Sequence, residues 1–597
     1  MSYSQNWDLD VFFKGGIDSP ELSAKIDELK SQLGELEVQV GELSDTKSFL
    51  VFLENLQNAR AGLEQAGSFI ESWSAVNYGD SRARVREDEM SKLNLSYAKV
   101  DLGLQKKLAE LSEQQFNELV STEAGTTIKL VLTELRSQAS RLLDDETENL
   151  VNELKIDGQS AWSSHYDTIV STLNTSYTTK EGVVKDVSAG QALNMYGTLK
   201  DNGERKDLMR NYEEMWTKAE NLSADTINHL AGSRLTDQHT HGYNNHLEFP
   251  LELNRMSRET LDAMWNTISA NKDFMVKFLE RKAQLLGLDH IEWQDQSAPI
   301  SVEGYEEREL SYDDAANFIV ENFRKYSPKM ADLAQKAFDD RWIESEDRPG
   351  KQPGGFDIGF PENDQDRIFL TYTGSVSDAA TIAHELGHAF HSSVVYDLPS
   401  YRQDYAMNVA ETASTFAENV VNSANVAAAT SDAEKIVLLD AKMENAVAML
   451  MNIHARFLFE DAFYTERAKG LLTAERLNEL MADAQKKAFA GVLDDNGVHP
   501  HFWTSKLHFF IDGVPFYNFP YVFGYLFSNG IFSWAQTQDN FEEAYIALLR
   551  DTANLTVEEL AAKHLGADLT KPDFWQASID LIKKDVDQFM ELTDSLV

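Results

Sequence analysis

Near the N-terminus, apolar residues recur on one helical seam. Leu22, Ile26, Leu29, Leu33, Leu36, Val40 and Leu43 are separated by alternating steps of four and three. This spacing lines one face of a helix that packs against another helix. Ser19-Pro20-Glu21 supplies a cap, an N1 proline and an acidic first turn. Gly34 and Gly41 each cost about 1 kcal/mol relative to alanine in a helix. Packing within the chain is therefore expected, with an oligomer contact as the alternative. Helical patterns continue over 46–75, 84–122 and 126–154. From 157 to 204 the chain turns rich in Ser, Thr, Asn and Gly, with short apolar pieces such as Gly182-Val183-Val184. This predicts loops and a few short strands, and places a boundary between an N-terminal helical lobe (1–200) and a second domain (201–597). Helical patterning resumes at Lys206 and runs to the C-terminus, except over 341–377. There Pro349–Gly355 is a loop by composition and Arg367–Thr373, β-branched and aromatic, a strand. Gly374–Asp378 then combines turn residues with Ser375 and Asp378 at capping-box spacing. The predicted fold is mostly α and multi-helical, with a small β-sheet beside a helix that begins near Asp378.

Composition narrows the chemistry. The 597 residues carry 54 basic and 98 acidic side chains, a net charge of −44. Such a surface argues against nucleic acid or an anionic membrane as partner, because phosphate binding needs basic patches. There are no cysteines, which removes disulfides, thiolate metal sites and cysteine nucleophiles. The N-terminal residues lack a basic segment followed by an apolar run, and no stretch reaches the roughly 18–20 apolar residues of a membrane helix. A cytoplasmic protein is expected.

The helix beginning near Asp378 contains Ala383-His384-Glu385-Leu386-Gly387-His388-Ala389-Phe390-His391. Positions i and i+4 share a helical face, so His384 and His388 can hold one zinc ion. Glu385 beside them can take a proton from a zinc-bound water. A surface helix carrying these residues by accident is the competing reading. A catalytic zinc usually has three protein ligands. A third histidine after a His-x-x-Gly-x-x spacer is excluded, because the glycine position is His391 and the histidine position is Val394. A glutamate on a later helix is the other option. In Asn408–Asn419, Glu411 and Glu418 lie seven apart on one face and, in a helix suited to burial, need a cation or a donor. Glu411 is the candidate third ligand, and Glu418 a candidate hydrogen-bond partner of a ligand histidine. Two solvated glutamates would be the plainer alternative. One zinc ion per chain is expected.

Thr381–His391, with Glu411-Thr412-Ala413-Ser414 downstream, resembles the oligoendopeptidase F and thimet oligopeptidase family of zinc metallopeptidases. So do Gly350–Gly355, Phe369 with Gly374-Ser375-x-Ser377-Asp378, the Trp7-Asp8-Leu9-Asp10 start and Phe516–Ser528. The resemblance is strongest over 200–585. It implies an elongated helical fold with a deep substrate channel between lobes, residues 1–200 forming channel wall or lid and 201–597 the catalytic domain. It implies endopeptidase activity on internal bonds of oligopeptides, with Glu385 assisting attack by water. It also implies that His508 and the tyrosines Tyr517, Tyr521 and Tyr525 line the site, where an N–H or hydroxyl can donate to the oxyanion of the tetrahedral intermediate. On a helix the three tyrosines would form a stripe. The segment from His508 to Tyr517 is longer than the usual family pattern, which leaves His501 as an alternative. A dipeptidyl carboxypeptidase or other exopeptidase on the same site, and a non-catalytic peptide-binding scaffold, are the rival functions. His391 is expected to be packed or to support a ligand, and His239, His241 and His246 to belong to a polar loop or a substrate-channel segment rather than a second metal site. Monomer and dimer both remain open.

Overall fold

The computed structural model describes residues 2–305 and 308–597. The N-terminal seam forms α1 (Pro20–Gly41), with the Ser19 side chain accepting from the first-turn amides and Pro20 at the start. Leu22, Ile26, Leu29, Leu33 and Leu36 are all buried. They pack against α2 (Thr46–Val76) and α3 (Ser81–Glu110) in one apolar core. The seam is thus covered by helices of its own chain.

The segment expected to be loops is largely helical. A π-turn over Ile156–Ser160 runs into a helix at Ala161–Ser171. Tyr166 and Ile169 of that helix are buried, and Tyr166 stacks on Phe510 with ring centroids 3.8 Å apart. Burial of a few large side chains outweighs the poor helix propensity of the serines and threonines between them. The expected strands are present as an antiparallel hairpin of β1 (Asn174–Thr178) and β2 (Val184–Ser188). The long helix α4 (Asn202–Thr240) follows.

Packing divides the chain into two interleaved units. One comprises Met1–Leu142, Glu307–Asn425 and Trp534–Ala567, the other Leu143–Glu306, Val426–Ser533 and Asp568–Val597. A division of the chain at residue 200 follows composition; these units follow long-range contacts, which join segments far apart in sequence.

In the first unit a three-stranded sheet has the order β3 (Ile343–Glu344), β5 (Gln365–Phe369), β4 (Phe356–Phe360). β5 runs parallel to β3 and antiparallel to β4. The strand predicted over Arg367–Thr373 is observed at Gln365–Phe369 as the central strand β5, with both edges paired and Asp366–Phe369 buried. Of the two outer strands, β4 packs between α2 and α5 (Val376–Ser393). The next helix, α6 (Met407–Ala428), begins in this unit. The second unit contains α7 (Ile453–Arg467) and α8 (Phe519–Ala535). Among the described residues no helix is long and apolar enough to cross a membrane.

Candidate metal centre

The start of α5 is fixed by local chemistry. Gly374 turns the chain at φ 98°, a left-handed conformation that costs glycine little. The Ser375 hydroxyl accepts the Asp378 amide at 3.0 Å, and Asp378 Oδ2 accepts the Thr373 and Ser375 amides at 2.7 and 3.1 Å. With the helix start pinned, the rotational positions of His384, Glu385 and His388 follow.

The two imidazoles stand with ring centroids 5.0 Å apart. α6 brings Glu411 to them: its Oε2 lies 3.2 Å from His384 Nε2 and 3.5 Å from His388 Nε2. A tetrahedral ion with bonds of about 2.0–2.1 Å has ligand–ligand edges of about 3.3 Å. The two edges from Glu411 match this length, and the three donor atoms all lie within 4.8 Å of one another, close enough to share one small divalent cation. They are the only such grouping among the described residues. Each of the three side chains is about a quarter exposed, which leaves the outer side open to water or substrate.

Close packing of the two helices sets this spacing. A Cβ at Gly387 would stand 2.5 Å from both the Ala413 carbonyl oxygen and Ser414 Cα of α6, so only glycine permits this approach. Further contacts aim the ligands. Glu418 Oε2 lies 3.2 Å from His384 Nδ1, and the Ser414 hydroxyl donates to Glu411 Oε2 at 2.7 Å.

Charge follows from this arrangement. Burial disfavours protonated His384, but Glu411 and Glu418 overcome it and lift the imidazole to about 10. Burial drives His388 down to about 4. Burial alone would raise Glu411, yet contact with the histidines and Ser414 holds it at about 2. Glu385 is pushed up to about 7 by burial, with Glu411 adding repulsion, while His384 and the Asp357 amide pull the other way. A carboxyl poised near neutrality suits proton transfer.

These residues open on a cavity of about 450 Å³, within the usual size for a ligand site. Its far wall contains residues that sequence reasoning passed over: Glu64 from α2, Phe356 and Asp357 from β4, Tyr396 and Tyr405. Asp357 and Asp366 form a buried carboxyl pair. Burial and mutual repulsion raise Asp357 well above its usual range; burial raises Asp366 to about 8, and Tyr396 donates to its Oδ1 at 2.8 Å. At neutral pH such a pair holds at least one proton. The signal was an aspartate in the otherwise apolar segment Phe356–Phe360, visible only once that segment is known to be a strand.

The second unit gathers the other predicted residues. The His508 ring lies 5.5 Å from Tyr517 and 6.4 Å from Tyr521, and the two tyrosines are 5.4 Å apart. The predicted helical stripe is interrupted: Tyr517 precedes α8, after Phe516 at φ 57°. Glu460 holds this bend, accepting the Phe516 amide at 3.0 Å and the Asn518 side chain at 2.6 Å. Tyr525 lies one turn beyond Tyr521 in α8 and is buried. His501, the alternative to His508, is engaged by Glu213 and by Glu220 at 2.9 Å.

Of the other histidines singled out in the sequence, His239 lies exposed in the last turn of α4 rather than in a loop. His391 is buried, stacks on Tyr405 at 4.0 Å and meets the Thr552 hydroxyl at 2.9 Å. His241 pairs with Glu148 and Asp237, and His246 with Asp461.

Fold and site together define a mostly helical protein in which a His-Glu-x-x-His helix and a glutamate helix meet at one cation-sized centre. The sequence profile of peptidase family M3 matches residues 195–581, and a profile described as oligopeptidase F matches 107–174. The chain belongs to peptidase family M3, and its relatives include proteins named oligoendopeptidase F. It is 22% identical over 393 residues to the group B oligopeptidase PepB of Streptococcus agalactiae, covering 65% of this chain and 64% of that protein. It is 23% identical over 395 residues to an oligoendopeptidase F homolog of Lactococcus lactis, covering 65% and 63%. The matches thus span just under two thirds of these relatives. In fold it is similar to a crystallised protein of Chlamydophila abortus (TM-score 0.84, 19% identity, 99% of each chain). It is also similar to oligoendopeptidase-F of Enterococcus faecium (TM-score 0.68, 16% identity, 96% of this chain and 99% of that one).

Proposed function

We propose that the protein is a zinc-dependent endopeptidase that hydrolyses internal bonds of oligopeptides, with His384, His388 and Glu411 as zinc ligands. The observation that carries this reading is the convergence of three donors, with Glu411 Oε2 at 3.2 and 3.5 Å from the two imidazoles, beside a buried carboxyl, Glu385. Zinc bound there would polarise the scissile carbonyl and acidify a water. Glu385 takes the proton from the attacking water and returns it to the leaving amine. Glu418 orients His384 through Nδ1. On the family pattern, His508, Tyr517, Tyr521 and Tyr525 donate to the oxyanion. β4 supports a peptide substrate, because of the two outer strands of its sheet it is the one that lines the cavity; such an edge can pair with extended backbone. Residues 201–597 supply the zinc ligands and the proposed acid–base groups, and 1–200 form the helical N-terminal part, from which Glu64 reaches the cavity. We take the protein to act in the cytoplasm.

The test is Glu385→Gln. It should bind zinc at one equivalent and cleave an internally quenched peptide at least about 100-fold more slowly, the usual size of a lost general base. Cleavage at the wild-type rate refutes the mechanism. A peptide blocked at both ends separates endopeptidase from exopeptidase, since only the former cuts it.

A further inference from the structure

In the second unit, among the described residues, two cations without a carboxylate partner approach one aromatic ring. The Arg456 guanidinium sits 5.4 Å from the centroid of the buried Phe502 ring, and Lys506 Nζ lies 5.8 Å from the same centroid. Arg456 donates its Nε to Asn452 Oδ1 at 3.0 Å. Among the described residues, neither cation is paired with a carboxylate, and Lys506 Nζ donates no hydrogen bond. The fully buried cations of this unit are satisfied within the protein. Lys282 reaches Asp440 and Glu444, Arg205 reaches Asp295, and Lys272 donates to the Ala488 carbonyl. With 98 acidic residues against 54 basic ones, an ion pair was readily available to this chain.

The same spot holds His508, whose Nδ1 is buried without a hydrogen-bond partner, and Tyr521 beside it. The electrostatics agree with the geometry. Burial, with Arg456 adding repulsion, pushes Lys506 down to about 7; burial lowers Arg456 to about 10, and the Tyr521 hydroxyl opposes this. Burial followed by these two charges lowers His508. Desolvated cations of this kind are costly unless an anion completes them. An arginine fork with an ammonium beside it suits a carboxylate, which accepts several charge-assisted hydrogen bonds at once.

We infer that Arg456 and Lys506, next to His508 and Tyr521, form a subsite for a carboxylate of the peptide substrate. The inference rests on the reading above that His508 and Tyr521 face the peptide. The carboxylate has two sources of the same chemistry, the peptide's C-terminus or an acidic side chain.

The test measures binding, using full-length protein carrying Glu385→Gln so that peptides stay intact. Three heptapeptides of otherwise identical sequence are titrated by calorimetry: one with a free C-terminal carboxylate, one with a C-terminal amide and a single glutamate, and one with an amide and glutamine. At least one carboxylate peptide should bind about tenfold or more tightly than the neutral one, the lower end for hydrogen bonds to a charged group. Which peptide gains identifies the source. Adding Lys506→Met should reduce that preference to less than about threefold, while Lys506→Arg should retain it. Lys506→Gln replaces the methionine variant if circular dichroism shows the latter unfolded. Equal binding of all three peptides, or a preference that survives both Lys506→Met and Arg456→Met, overturns the inference. Failure of the endopeptidase reading would show separately, as peptide cleavage by the Glu385→Gln protein.

Discussion

Replacing Gly387 by alanine tests how the metal centre is held together. The added Cβ would lie 2.5 Å from the backbone of Ala413 and Ser414, where ordinary contact begins at 3.4 Å. α5 and α6 must then separate by about 0.9 Å, because the obstructing atoms are backbone and cannot rotate away. Overpacking of this kind costs about 1–3 kcal/mol, and alanine returns about 1 kcal/mol through helix propensity. The net loss of stability is therefore small, about 0–2 kcal/mol. The effect on zinc is larger in proportion. Metal sites tolerate displacements of about 0.2 Å, and the separation carries Glu411 several times farther from His384 and His388. Zinc affinity should fall roughly 100-fold, the upper end of what loss of a supporting contact costs, with activity at limiting zinc falling alongside it. Competition against a chromogenic chelator reads the affinity, and thermal melting of the metal-free protein reads the stability. A Gly387→Ala protein that binds zinc within twofold of wild type would show that this close approach does not set the ligand spacing.

Further outcomes follow from the same geometry. Glu418→Gln, which weakens the hold on His384 Nδ1 (3.2 Å), should lower zinc affinity by about 10–100-fold without changing far-ultraviolet circular dichroism. Because Glu411 and Glu418 lift His384 to about 10 in the metal-free protein, it is protonated at pH 7 and must lose that proton to ligate. Calorimetry of zinc binding in buffers of differing ionisation enthalpy should report release of about one proton per ion, and none would contradict the assignment of His384. Asp366, raised to about 8 mainly by burial, stays protonated in the folded state while the unfolded chain ionises near its ordinary value. Its contribution to stability is therefore complete in acid and lost as pH rises toward 8. Asp366→Asn should raise the melting temperature by roughly 2–4 °C at pH 8 and by less at pH 5; the opposite order would refute the buried carboxyl pair.

Much of this protein was legible locally. The seam from Leu22 to Leu36 and the box from Ser375 to Asp378 depend on side chains within one or two helical turns, so their spacing alone determines helix, face and starting point. The pairing of His384 with His388 is determined in the same way, since a helix places i and i+4 together whatever surrounds it. Glu411 could be singled out as a carboxylate needing a partner, but only the packing of α6 on α5 at Gly387 brings it to 3.2 Å from His384. β5 reads as the stronger strand because it is buried, and burial follows from its central position between β3 and β4. The weaker pattern, with its glycine and its aspartate, is the one that faces the cavity. Glu64 and Tyr396 show no local signal, and Asp357 shows one only once its segment is known to be a strand: they come from α2, the chain beyond α5 and β4, and meet only through tertiary contacts. Local periodicity thus determined the helices and two of the proposed ligands. The approach of Glu411, the cavity wall and the position of the cations near His508 were decided by packing, which joins residues that no short-range rule relates.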